Sequence, residues 1–313
     1  MIMKTIFMGT PDFAVPTLDA LVKAGHEVTA VVTQPDKAVG RSKTLRPSPV
    51  KKRALELGIQ VLQPERARDT EFIGQIKDLA PDVMVVVAFG QILPKELLDV
   101  PPNGCVNVHA SLLPKYRGAA PIQQAVINGD EVSGVTTMLM GEGLDTGDIL
   151  LTKEVRLEKK ETGGSLFEKL SIVGAELLIE TLEGLGKNEI IPVPQDESKA
   201  SYVKMLTKAS GLITFEKSPD ETECLIRGLD PWPGAYTYFN GKKLSVWDAD
   251  VGRAKSAGSD PGTVTEASKD HISVICGDGI LDIKEVQLEG KKRMKVSDFL
   301  NGCRMSPGDI LGR

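Results

Sequence analysis

The sequence predicts an α/β fold in two parts, an N-terminal Rossmann-like, doubly wound parallel sheet and a smaller C-terminal β-barrel (OB-like) domain. Three observations predict it. Strand-like and helix-like patterns alternate through about the first 185 residues, as a parallel sheet with crossover helices requires. Within that alternation, Asp82 to Phe89 (DVMVVVAF) is almost wholly apolar, the mark of a central strand covered on both faces. From about residue 209 the pattern changes to short strand-like runs separated by Gly, Asp and Asn.

Taken in order, Thr5 to Met8 is a first short strand ending at Gly9. Phe13, Val15, Leu18, Leu21 and Val22 then repeat at helical spacing up to Gly25. Val28 to Val32 is the next strand. After further helical stretches and the apolar strand come a strand at Cys105 to His109, a helix from about Ala120 to Asn128, a strand at Val135 to Met140, and a long amphipathic helix from Ser165 to Leu182. These place a first domain at residues 1–188. Two prolines and many polar residues mark 189–208 as a linker. The second domain, 209–313, opens with a helix near Asp220 to Gly228. Strands follow at Leu244 to Trp247, Gly262 to Val264, Ile272 to Cys276 and Ile280 to Ile283, with hairpin turns expected at Asn240-Gly241 and Asp278-Gly279.

Composition excludes several classes. The chain has 313 residues, 41% hydrophobic and 26% charged, as in ordinary soluble globular proteins. The start MIMKTIFMG lacks the h-region of a signal peptide, and no apolar run approaches a membrane span. Cys105, Cys224, Cys276 and Cys303 are widely spaced, which argues against a zinc site or a disulfide framework and fits a cytoplasmic protein with reduced thiols. The net charge of −5 confines any nucleic-acid contact to local basic patches.

The residues with chemical potential are Asn107 and His109. Two apart on one strand, they face the same side of the sheet, at the carboxyl end where open α/β sheets build their sites. SLLPKYRGAAP follows as a shaped loop, and GEGLDTGD, with three glycines and three acids in eight residues, follows the next strand. Attack of an amine on a formamide carbonyl needs a donor to the oxyanion and groups that move protons. Asn supplies the first, His both, and an acid beside the His orients it; Asp145 and Asp148 are the candidates. Singly, each has a bland reading: a structural strand histidine, a turn Asn, an Asp in a glycine loop. Together, with only three histidines in the chain and His109 at a strand's carboxyl end, they bring a site level with the bland reading. His26, in a helix–strand turn, and His271, in a hairpin, read as structural.

At this point a resemblance becomes visible. GTPDFAVPTLDAL at 9–21, the segment from TQPDKAVGR to RPSPVK, NVHASLLPKYRGAAPIQQAVINGD at 107–130, GLDTGDIL at 143–150 and PWPGA at 231–235 resemble the methionyl-tRNA formyltransferases over nearly the whole chain. Asn-x-His with Asp and SLLP marks the wider folate-dependent formyltransferase superfamily. The resemblance implies 10-formyltetrahydrofolate as formyl donor, no metal, and initiator Met-tRNA as acceptor, with direct attack through a tetrahedral intermediate and a monomeric enzyme. It implies that Asn107 and His109 stabilise the oxyanion and that Asp145 pairs with His109. Ser111, Leu112, Leu113 and Pro114 would line the folate site, and backbone around Phe89, Gly90, Ile92 and Leu93 and from Gly141 to Asp145 would hold the pterin. Ala110 departs from the glycine that many members carry after the His.

Between Gln34 and Arg53 stand seven basic residues against one acid, Asp36. Lys37 to Pro47 has no apolar periodicity and reads as a flexible basic loop able to order on phosphates. By resemblance Arg41 is its key arginine, with Lys37, Lys43 and Arg46 as further tRNA contacts. KKRMK at 291–295 and Lys199, Lys204 and Lys208 are weaker candidates. A nucleotide-sugar formyltransferase would not need the basic insertion, and a glycinamide ribonucleotide formyltransferase would lack the second domain. An NAD-dependent dehydrogenase is excluded by a first turn, Gly9 to Ala14, without GxGxxG and with Pro11 in place of an amide donor. A non-catalytic RNA-binding module would have no use for the trio.

Overall fold

The computed structural model describes residues 2–39, 44–255 and 260–312. It divides into two compact units, Met1–Gly118 with Ser133–Arg156 and Phe167–Val203, and Ala119–Val132 with Leu157–Leu166 and Lys204–Arg313. In chain order the elements are β1 (Lys4–Gly9), α1 (Val15–Lys23), β2 (Glu27–Val32), β3 (Lys37–Val39), β4 (Thr44–Arg46), α2 (Pro49–Glu56), β5 (Val61–Leu62), α3 (Thr70–Leu79), β6 (Val83–Val87) and α4 (Lys95–Leu98). They continue with β7 (Cys105–His109), β8 (Arg117–Gly118), α5 (Pro121–Ile127), β9 (Val132–Leu139), β10 (Ile149–Arg156), α6 (Gly163–Gly186) and β11 (Tyr202–Val203).

The first unit is built on a seven-stranded sheet in the order β10-β9-β7-β6-β1-β2-β5. From β5 to β7 all pairings are parallel. β9 runs antiparallel to β7, so the sheet is mixed rather than wholly parallel. A parallel return needs a crossover helix, and the one helix between these strands, α5, belongs to the second unit. Strand alternation explains the core. Ile6, Met8, Ala30, Val32, Met84 and Val86 pack with Phe72, Ile73 and Ile76 of α3, while Phe7, Val31 and Val85 are buried from the opposite face. Every residue of β6 and β7 is buried. β10 is the edge, and alternates exposed and partly buried residues.

The stretch expected as a shapeless basic loop is flanked by structure. β3 pairs antiparallel with β4, Lys37 opposite Arg46 and Ala38 opposite Leu45. Residues 40–43 lie outside the described residues, and with them Arg41 and Lys43. Next, α2 starts on Ser48, whose hydroxyl accepts from the Lys51 amide at 3.0 Å, with Pro49 in its first turn.

The second unit adds α7 (Pro219–Gly228), β12 (Ala235–Phe239), β13 (Lys242–Lys255), β14 (Val264–Ala267), β15 (Ile272–Cys276), β16 (Gly279–Leu288), β17 (Met294–Lys295) and α8 (Val296–Gly302). Its sheet runs β12-β13-β16-β15-β14 with β17 on β16, and these pairings are antiparallel. Leu244, Val246, Ala249, Val264, Ile272, Val274, Leu281, Ile283, Val286 and Phe299 form its core. The β12–β13 turn uses Asn240 (φ 51°) and Gly241 (φ 72°), the left-handed pair that suits the twist of a tight hairpin. The second turn differs by one residue from expectation. Cys276 faces Gly279, so the corner is Gly277-Asp278, with Gly277 at φ 28°.

Candidate active site

Asn107 and His109 are on β7, 8% and 6% exposed. Their neighbours across β9 are Met138 and Thr136. Among the described residues the Asn107 amide makes no hydrogen bond, so its donors remain available. His109 Nε2 lies 3.0 Å from the Tyr116 carbonyl oxygen, which can only accept, so this nitrogen carries the proton. Nδ1 is 3.7 Å from Asp145 Oδ2, an ion-pair distance too long for a direct hydrogen bond.

Asp145 sits in the left-handed region, φ 53°. Its environment fixes it at both ends. The Gly118 amide donates to Oδ2 at 2.8 Å, and the backbone carbonyl accepts from Gln195 Nε2 at 2.8 Å. The second Gln195 N–H reaches the Gly147 carbonyl at 2.7 Å. Gly147 has no room for a side chain, since a Cβ would lie 1.6 Å from the Leu139 oxygen. Asp148, the other acid considered, offers its backbone carbonyl to the Leu139 amide at 2.9 Å; Asp145 is the acid placed against His109.

The loop after β7 is held from β9. Thr136 Oγ1 donates to the Ser111 carbonyl at 2.7 Å and accepts from the Leu113 amide at 3.1 Å. Ser111 and Leu113 are buried, Leu112 and Pro114 partly so. After β6, Phe89 and Leu93 are buried in the core while Ile92 is 84% exposed. Gly90 has φ 84°, and the Phe89 carbonyl accepts from Thr10 Oγ1 at 3.0 Å. Phe89 and Leu93 therefore offer only backbone to a ligand.

Four residues that the sequence reading did not single out, Arg117, Gln195, Glu197 and Tyr202, complete the surroundings. Arg117 has no exposed surface. Its Nε and Nη2 donate to Gln195 Oε1 at 3.1 and 2.8 Å, Nη1 and Nη2 to Glu197 at 2.9 and 2.7 Å, and Nη1 to the Tyr202 hydroxyl at 2.8 Å. All five N–H groups of the guanidinium are thus used. The Glu197 hydrogen bonds raise the Arg117 pKa against the opposing effect of burial, and Arg117 in turn lowers that of Glu197. β8 pairs with β11, Arg117 opposite Tyr202. An arginine inside a basic-looking loop and a glutamine in a polar tether give no local signal; only the fold brings them together.

Of the basic residues between Gln34 and Arg53, Lys51 is paired with Asp36 at 2.8 Å and Arg53 with Asp19 at 2.6 Å. Lys37, Arg46 and Lys52 are exposed. Among the weaker candidates, Lys199 pairs with Asp196 at 3.2 Å, and Arg293 with Glu285 at 2.7 Å while lying over the Trp247 ring at 5.1 Å. Lys204 and Lys208 are exposed. Among the described residues no cluster of His, Cys, Asp or Glu is arranged to hold a metal, and no helix is long and apolar enough to cross a membrane.

This arrangement can do one kind of chemistry well: an amide donor and an imidazole on one strand end, with a carboxylate behind the imidazole, suit attack on a carbonyl and the proton movements that follow. Comparison with known proteins agrees. Residues 3–182 match the formyl transferase family and residues 205–304 the formyl transferase C-terminal domain. A methionyl-tRNA formyltransferase of Lachnospira eligens is 58% identical over 99% of this chain and all of its own, and one of Agathobacter rectalis is 53% identical over 98% and 99%. Among solved structures, an N-formyltransferase of Helicobacter canadensis in complex with folinic acid and dTDP-3-aminofucose shares the fold, at a TM-score of 0.67 and 19% identity over 94% of this chain and all of its own. HypX of Aquifex aeolicus in complex with tetrahydrofolic acid does so at 0.64 and 15%, over all of this chain and 51% of its own. The matches span both units, and the chain belongs to the formyl transferase family.

Proposed function

We propose that the chain transfers the formyl group of 10-formyltetrahydrofolate to the free amino group of methionine on initiator Met-tRNA, giving formyl-Met-tRNA for translation initiation. The observation that carries the chemistry is the convergence of Asn107, His109 and Asp145. The full-length relatives, each named as a methionyl-tRNA formyltransferase, support the acceptor. Asn107 donates its unengaged N–H to the oxygen of the formyl carbonyl as the methionine amine attacks, so that charge developing on that oxygen meets a preset dipole. His109 and Asp145 take up the proton that the amine loses and return one to the departing folate nitrogen. The 3.7 Å gap between them closes on substrate binding, as is common for catalytic contacts.

A reduced folate fits the residues present. Ile92 and Leu144, 84% and 59% exposed, hold apolar groups out at the loops that follow β6 and β9, where a flat pterin would cover them. Backbone of 89–93 and 141–145, with Ser111 to Pro114, would bind it. Lys37 and Arg46 on the β3–β4 hairpin, with Arg41 and Lys43 between them in sequence, would contact the tRNA backbone. The reading includes action as a monomer in the cytoplasm, consistent with a translational substrate and with four unpaired cysteines.

The test is a formylation assay with 10-formyltetrahydrofolate and, in parallel, Met-tRNA, free methionine and a nucleotide-sugar amine. Strong preference for Met-tRNA is expected, and equal use of free methionine would refute the acceptor. His109→Ala should reduce kcat by about 10²–10⁴-fold, and near-normal transfer by that variant would refute the role given to the trio.

A further inference from the structure

We propose that Gln195, braced by Arg117, is a positioning residue that holds the Asp145 turn in register with His109. The inference rests on the reading of Asp145 as part of the catalytic trio. Asp145 adopts a left-handed backbone, φ 53°, that a non-glycine residue keeps only where its surroundings over-determine it. The Gln195 side chain supplies that constraint. Its two N–H groups clamp the carbonyls of Asp145 and Gly147 at 2.8 and 2.7 Å, on either side of Thr146. Its oxygen accepts twice from Arg117, at 3.1 and 2.8 Å. The guanidinium decides which way the amide faces, because a flipped amide would set N–H against N–H on one side and oxygen against two carbonyls on the other.

Arg117 is itself immobilised. It is fully buried, and its remaining donors go to Glu197 and Tyr202. The next residue, Gly118, donates its amide to the Asp145 carboxylate at 2.8 Å. Two adjacent residues thus grip Asp145 from opposite ends, one directly at the carboxylate and one through Gln195 at the backbone. The carboxylate approaches His109 at 3.7 Å, so a displacement near 1 Å at this turn acts directly on the catalytic contact.

The experiment compares Gln195→Ala and Gln195→Glu with wild type and with both changes on an Asp145→Ala background, measuring kcat, both KM values and Tm. Glu is isosteric and pairs better with Arg117, but it sets an acceptor against the two carbonyls. Positioning therefore predicts that both variants lose kcat by about 10- to 100-fold with KM values changed by less than about twofold. Asp145→Ala should also slow transfer, and adding Gln195→Ala to it should cost less than about twofold more, since the clamp has nothing left to position. If Gln195 merely satisfies the buried guanidinium, Gln195→Glu will retain wild-type kcat, and the proposal is overturned. It is equally overturned if Gln195→Ala costs its full factor on the Asp145→Ala background. Wild-type turnover by Asp145→Ala would instead sink the reading of the trio, and the clamp's role with it; that result is distinguishable because it appears in the single variant.

Discussion

Gly147→Ala is a backbone-only test of whether the turn carrying Asp145 must hold its position. A Cβ at residue 147 would lie 1.6 Å from the Leu139 carbonyl oxygen, and such contacts are tolerated from about 3.0 Å, so turn and strand must separate by about 1.4 Å. Asp145 is two residues away, and its own contact with His109 is 3.7 Å. A misplacement of that size at a catalytic group costs on the order of 10²-fold in rate, and the overpacking itself costs about 1–3 kcal/mol of stability. The assay is steady-state formylation with both substrates saturating, alongside thermal unfolding. Gly74→Ala supplies the control. It lies in α3, outside the site, with nothing within 4 Å of a Cβ, and its kcat should stay within about twofold of wild type. A folded Gly147→Ala enzyme with wild-type kcat would refute the reasoning, because the turn would then tolerate displacement without consequence for the chemistry.

Other outcomes follow from the same geometry. Lys37→Ala and Arg46→Ala should each raise the KM for Met-tRNA and lower the slope of log affinity against log salt by roughly one unit, leaving the folate KM unchanged; an unchanged salt slope would remove these residues from the interface. Lys160, 2.6 Å from Asp250, and Lys284 lower the Asp250 pKa to about 2. A carboxylate depressed in the folded state stabilises above its unfolded pKa of about 3.9 and loses that contribution as pH falls toward 2. Discounted for solvent screening, it is on the order of 1 kcal/mol. Asp250→Asn should accordingly lower stability at pH 7 and narrow the gap to wild type between pH 4 and 2, measured by denaturant titration. Burial pushes the Cys105 and Cys276 thiols up to about 12. Alkylation of the native enzyme at pH 8 should leave both unmodified, as mass spectrometry of the peptides would reveal.

Much of the fold was readable where local pattern and tertiary role coincide. Cys105, Val106 and Val108 read as part of a strand, and Cys105–His109 is five buried residues in a row. The pattern fails where an element lacks two consistent faces. β10 is an edge strand with only Leu150 buried, so nothing in ILLTKEVR distinguishes it from a polar loop. β13 reads as ending near Trp247 because the buried positions change phase from Leu244 and Val246 to Ala249, across register shifts between Val246 and Ala249. Charge counting also misled in part. Lys51 and Arg53 inflate the basic stretch: Lys51 is paired with Asp36, the one acid within it, and Arg53 with Asp19, which only the fold supplies. At the site, Asn107 and His109 are linked by strand spacing alone. Arg117 and Gln195 stand 78 residues apart, and no local rule connects them.

The chain between α6 and α7 is polar and proline-containing, as an interdomain tether should be. Its first part is nonetheless laid down on the first unit. Val193 exchanges hydrogen bonds with Ile149 at 2.8 and 2.9 Å, Gln195 and Glu197 hold Arg117, and Tyr202 and Val203 extend β8. A fragment cut after Asn188, where composition suggests a boundary, would keep Asn107, His109 and Asp145 but leave a buried guanidinium without its partners and the Asp145 turn unsupported. A fragment that keeps these supports therefore extends at least to Val203. Any chimera that exchanges C-terminal domains between relatives should place its junction after that residue, so that the tether travels with the site it stabilises.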